Sequence, residues 1–174
     1  MARGHDRGFT LVELMGVVGL IGIISAISMP GLLRARMSGN EASAISSLRA
    51  ISSAQSAFAA SCGSGFYAPT LTLLGTAPGD GDGPAFIGTD LNTDPAFKSA
   101  YEMALTAGSP ATGAPASCNG AAAGTVVATY FASATPGNTG FRYFGTNQGG
   151  TIYQDRVAVA VTQSGAPAGA APIQ

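Results

Sequence analysis

The stretch Arg7–Pro30, RGFTLVELMGVVGLIGIISAISMP, places a carboxylate early in a long apolar run. Glu13 is the only charge between Arg7 and Arg34. From Leu14 to Leu33 about twenty uncharged residues follow, close to the minimum for a membrane-spanning helix. An ionisable residue there is expensive and marks a functional site unless it snorkels to the interface. Snorkelling and a specific positive partner inside an assembly are both open on physics alone.

The helical pattern does not end with the apolar run. After Pro30 and Gly31, Ile45, Leu48, Ile51 or Ser52, Gln55 and Phe58 recur at three- to four-residue spacing among Ala and Ser. One helix from Thr10 to Ala60 would be about 75 Å long. Less than half of that fits in lipid, so the remainder has to pack against something else. Gly16, Gly19, Gly22 and Gly31 let helices approach closely, and Pro30 removes a helical hydrogen bond. A helix break is therefore expected at Pro30, with loosening over Gly22–Pro30. A secretory signal would have a shorter apolar core and a cleavage site, which Ser25, Ala26 and Ser28 only imitate.

Composition limits the remaining chain. Of 174 residues only 10% are charged, the net charge is −1, and no basic patch exists. Phosphate neutralisation needs clustered Lys and Arg, so nucleic acid is not expected as a primary partner. Abundant Gly, Pro, Ser and Thr fit a small extracytoplasmic domain of strands and long loops. In an oxidising compartment Cys62 and Cys118 would most simply form one disulfide; two separate buried thiols are the alternative for a cytoplasmic domain. Arg3 and Arg7 precede the span while Arg34 and Arg36 follow it, so charge counting leaves its orientation undecided. The cysteine pair places the C-terminal domain outside the cytoplasm.

The motif RG-FTLVEL resembles the class III signal of type IV pilins and pseudopilins. The resemblance implies a basic leader MARGHDRG, residues 1–8, cut by a prepilin peptidase between Gly8 and Phe9, with N-methylation of Phe9. It also implies that Glu13, at the fifth mature position, pairs with the amine of a neighbouring subunit and sets the axial register. Pro30 lies where pilins commonly carry a helix-breaking proline. The segment GSGFYAPTLTLLG, Gly63–Gly75, resembles the part of many pilin-like proteins just after the long helix. KSAYEMALTAG and TYFASATPGNTGFRYFGTNQGGTIYQD resemble later parts of that pattern. Ala100 departs from it, since glycine is more usual there, and the chain continues beyond Ile152 where relatives often stop.

These features define an α+β pilin fold. It has a leader (1–8), a hydrophobic transmembrane and assembly helix (9–33) and its amphipathic continuation (34–61). A globular antiparallel sheet domain (62–163) and a flexible tail (164–174) follow. Thr125–Ala134, Gly140–Gly145, TIYQD and Arg156–Thr162 read as strands. Asp94–Gly108 is ambiguous: Asp94 and Pro95 can start a helix with Phe97, Tyr101 and Leu105 on one face, yet the family pattern makes Ser99–Thr106 a strand, which is the reading adopted.

No enzyme is expected. The one histidine, His5, lies in the leader, and G-x-S-x-G, P-loop and H-E-x-x-H motifs are absent. Asp80 and Asp82 offer two hard oxygens, too few for calcium, and read as a solvated turn; no metal or cofactor is expected. The aromatics read as core rather than as an electron path.

The implied partners are copies of itself, other pilins, the prepilin peptidase and the inner-membrane assembly platform. The implied place is the inner membrane as a single-pass precursor with a periplasmic C-terminal domain, then an extracellular filament for adhesion, twitching or DNA uptake. The alternatives are a type II secretion pseudopilin and, more remotely, a monomeric membrane-anchored binding domain.

Overall fold

The computed structural model describes residues 8–79, 83–138 and 141–173. Asp80 and Asp82 lie outside them. The chain divides into two units, with the boundary between Ser38 and Gly39.

Helix α1, Leu11–Ser61, begins in the first unit and ends in the second. In the first unit its apolar side chains are uncovered, from Leu11 and Val12 through Ile27 to Leu33. It is long and apolar enough to cross a membrane. Helical geometry continues through Pro30, so the break expected there is absent from the isolated subunit. A proline still withholds the N–H that the Ala26 carbonyl would accept. Two residues earlier, Ser28 Oγ donates to the Ile24 carbonyl at 2.9 Å, a side-chain bond that competes with the helical ladder.

In the second unit α1 has one buried stripe: Ala44, Ser47, Leu48, Ile51, Ala54, Gln55 and Phe58. Its end is built by Gly63, Ser64 and Gly65. The N–H groups of Cys62 and Gly63 both reach the Phe58 carbonyl, and Gly65 N–H reaches Ala59. Gly63 has to be glycine because a Cβ would stand 2.3 Å from the Phe66 carbonyl oxygen. Gln55, fully buried, then clasps the returning chain: its amide donates to the Ala68 carbonyl and accepts the Ala68 N–H, each at 2.8 Å. Both halves of a buried amide are thereby satisfied.

A short helix α2, Leu71–Leu74, follows Thr70, whose hydroxyl caps it. The remaining elements form one antiparallel meander in the order β1-β2-β3-β4-β5-β6. These are β1 Ala96–Lys98, β2 Tyr101–Ala107, β3 Tyr130–Pro136, β4 Tyr143–Asn147, β5 Ile152–Asp155 and β6 Ala171–Pro172. Tyr101, Met103 and Leu105 alternate inward on β2 and join the α1 stripe, Phe144 and Ile152 in one core cluster.

The strand reading of Ser99–Thr106 holds as β2, shifted to Tyr101–Ala107, and the helical alternative fails: Ser99 and Ala100, at φ 51° and 63°, form the two-residue turn of the β1–β2 hairpin. Asp94 does not cap a helix of its own; its carboxylate accepts the N–H of Leu71 at 3.1 Å and of Leu105 at 3.3 Å. That ties α2 to β2.

Arg156–Thr162 is not a strand. Asp155 accepts the N–H groups of Arg156 and Val157 and turns the chain out of β5, leaving Val157 and Val161 exposed. The segment crosses the outer face of the sheet instead. Asn147, buried there, donates to the carbonyls of Thr162 (3.3 Å) and Gly165 (2.8 Å). Beneath it Phe131 is fully buried, its ring over Gly145, where a Cβ would stand 2.5 Å from the ring. Within residues 164–174, where composition predicts no order, Ala171–Pro172 pairs with β5 and Ile173 N–H reaches the Ile152 carbonyl at 2.8 Å.

Candidate functional site

The residues carrying the sequence motif lie at the beginning of α1. Gly8, Phe9 and Thr10 precede the helix, all exposed, and Phe9 is 79% exposed. Among the described residues nothing lies within 4 Å of where a Gly8 side chain would stand. Met1–Arg7 lies outside the described residues.

Thr10 sets the start of the helix. Its carbonyl accepts the N–H of Leu14 at 3.2 Å, the first helical bond, and its Oγ1 accepts the N–H of Glu13 at 3.2 Å. The first four N–H groups of a helix lack helical partners, and a threonine cap satisfies one of them. Thr10 and Glu13 are spaced as a capping box, S/T-x-x-E. Among the described residues only the threonine half is closed, and Glu13's carboxylate has no hydrogen bond to any of them. Glu13 is thus a first-turn carboxylate, favoured by the positive end of the helix dipole and open to a second cation. A reading centred on the charge misses Thr10, although the T-x-x-E spacing signals its role.

Residues 3–29 match the family model of the prokaryotic N-terminal methylation motif. The chain carries a class III prepilin signal. No curated protein and no solved structure matches the chain. The prepilin signal covers the leader and most of the apolar run, while the pilin-like architecture, a long apolar helix followed by an antiparallel sheet, comes from the fold itself. The motif indicates a precursor of the pilin-like or pseudopilin type. Such a signal implies processing by a prepilin peptidase and assembly with other pilins, and the apolar helix is consistent with membrane anchoring of a prepilin.

Cys62 and Cys118 are joined in a disulfide, with Cα atoms 5.0 Å apart. It fastens the end of α1 to the long connection between β2 and β3. Glu41 and Arg142, 101 residues apart, form a second fastening with no sequence signal. Arg142 grips Glu41 through Nε at 3.1 Å, Nη2 at 2.5 Å and its backbone N–H at 3.2 Å. Its remaining nitrogen donates to Gln154 at 2.6 Å, and its guanidinium lies over the Phe144 ring. Burial works against the charged form of Glu41, but the Arg142 bonds outweigh it and hold the carboxyl below its ordinary pKa. The Tyr101 hydroxyl donates to the Arg142 carbonyl at 2.8 Å, and burial pushes its pKa well up. Nothing in this cluster has the arrangement of a nucleophile and base; it holds α1 to the sheet.

Proposed function

We propose that the chain is a structural subunit of a type IV pilus, cut between Gly8 and Phe9, N-methylated at Phe9 and polymerised through the first half of α1. The observation that carries this reading is the class III signal heading a helix whose large apolar side chains from Leu11 to Leu33 are uncovered in the single subunit. Lipid can cover them before assembly and neighbouring helices can do so in a filament. Scattered apolar residues on a soluble surface need no explanation, but a continuous sleeve of them does.

In the assembled state Glu13 would meet the Phe9 amine of a neighbour. A carboxylate in apolar surroundings costs about 2.5–3.5 kcal/mol at mid-membrane on insertion scales, less near the interface. A cation offsets that cost only at the correct axial stagger, which turns the cost into register. The open half of the Thr10–Glu13 box supports this role, because the carboxylate makes no hydrogen bond to the described residues of its own chain. Pro30, next to Gly31 and the Ser28 side-chain bond, is the point where the helix would open in the filament. On this reading the domain acts by packing and by the surface it displays.

A pseudopilin of a type II secretion system is the second reading, since it shares the same signal. The likeness of Gly63–Asp155 to the pilin pattern favours the pilus. Shearing intact cells tests the choice: the pilus reading predicts the protein in the sheared surface filaments, and retention in the periplasm contradicts it.

A further inference from the structure

The long connection between β2 and β3 holds Cys118-Asn119-Gly120, the only Asn-Gly pair in the sequence. Asparagine before glycine is the pair most open to self-cleavage of its amide. The Gly120 backbone nitrogen attacks the Asn119 side-chain carbonyl, ammonia leaves, and a cyclic succinimide forms. Water then opens the ring to aspartate or isoaspartate. Glycine speeds the first step because it has no Cβ to obstruct the approach and its backbone is free to turn.

In the folded domain every group needed for that attack is engaged. The Asn119 amide nitrogen donates to the carbonyls of Leu73 at 2.6 Å and Thr76 at 3.2 Å, at the end of α2. Its Oδ1 accepts from the Ser117 hydroxyl at 2.7 Å. The Gly120 N–H is turned to the Ser117 carbonyl at 3.3 Å, and Asn119 is 5% exposed. Cys118, the preceding residue, is bonded to Cys62, which fastens this loop to the end of α1.

We propose that Asn119-Gly120 is a deamidation site kept silent by the disulfide, so that a domain left unoxidised converts irreversibly to a form that closes Cys62–Cys118 poorly. The irreversibility follows from the geometry. An aspartate at 119 would put a carboxylate against the Leu73 and Thr76 carbonyls, two acceptors now facing a donor. A buried acceptor facing acceptors loses its bonds and suffers repulsion as well. The chain is exposed to this fate between its synthesis and the closing of Cys62–Cys118. The inference does not depend on the pilus reading, because it concerns the folded domain alone.

The test uses the full-length protein in detergent, incubated at pH 8 either oxidised or with excess dithiothreitol. Peptide mass mapping follows conversion of Asn119, with Asn147-Gln148 as the internal control. Deamidation at Asn119 is expected to be about tenfold or more faster in the reduced sample, the ratio expected when loss of the crosslink makes local opening that much more frequent. Equal rates in the two samples, or no conversion at Asn119 when reduced, overturn the proposal. Asn119→Asp, reduced and returned to oxidising buffer, is expected to re-form Cys62–Cys118 more slowly and in lower yield than the native chain; equal recovery overturns the irreversible step.

Discussion

The hydroxyl of Thr10 accepts the backbone N–H of Glu13 at the start of α1, while the Glu13 carboxylate has no hydrogen bond among the described residues. If register depends on that carboxylate, Glu13→Ala will be cut and stable yet will not enter filaments. Filaments of normal yield from Glu13→Ala would remove the register argument. Thr10→Val should cost the helix start about 1 kcal/mol, with Thr10→Ser restoring it. Amide hydrogen exchange at the first turn reads the difference.

The turn Ser99–Ala100 supplies a second test. Ala100 has φ 63°, a left-handed conformation that costs a residue with a Cβ about 1–2 kcal/mol. Ala100→Gly is therefore expected to raise stability by about 0.5–1 kcal/mol, the strain relief being partly cancelled by a more flexible unfolded chain. A urea midpoint that stays unchanged or falls would contradict the hairpin assignment.

Glu41 and Arg142 make stability depend on pH. The folded pKa of Glu41 lies below its unfolded value, so the contribution is fully present above about pH 4.5 and disappears as pH falls through the folded value. Since Arg142 is half exposed, the pair is worth only about 1 kcal/mol. Glu41→Gln should lower the midpoint of unfolding near neutral pH and converge with the native protein in acid. A gap that is as wide in acid as at neutrality would mean the loss is packing rather than charge.

The disulfide closes 56 residues of sequence separation. Removing it with Cys62→Ser is expected to cost about 4 kcal/mol on the loop-entropy estimate, read as a lower denaturant midpoint. A loss under about 1 kcal/mol would show that the unfolded chain is already compact in this region.

Much of this molecule is legible in its residues because the signals are local. The apolar run, Glu13 and the helix stripe through Leu48, Ile51, Gln55 and Phe58 follow from spacing alone, whereas Ala44 is buried where spacing points to Ile45, which is only partly buried. The β1–β2 hairpin is harder, since Phe97, Tyr101 and Leu105 fit a helix as well as a strand until the backbone at Ser99–Ala100 is known. Arg156–Thr162 misleads for a physical reason: its alternation has a strand period, but Asp155 turns the chain away before it can pair. Glu41 with Arg142, and Asn119 with the end of α2, join distant residues of ordinary type, and no spacing rule reveals such pairs. Pro30 marks the limit of a local rule, because a helix can tolerate one missing bond. Whether it opens depends on what surrounds it.

The central claim is that the apolar helix is kept and freed at one peptide bond. N-terminal mass spectrometry of the protein recovered from membranes tests this most directly. The account predicts a mature chain beginning at Phe9 with a methylated amine. A chain beginning near Ala26, or one retaining Met1–Gly8, would contradict it.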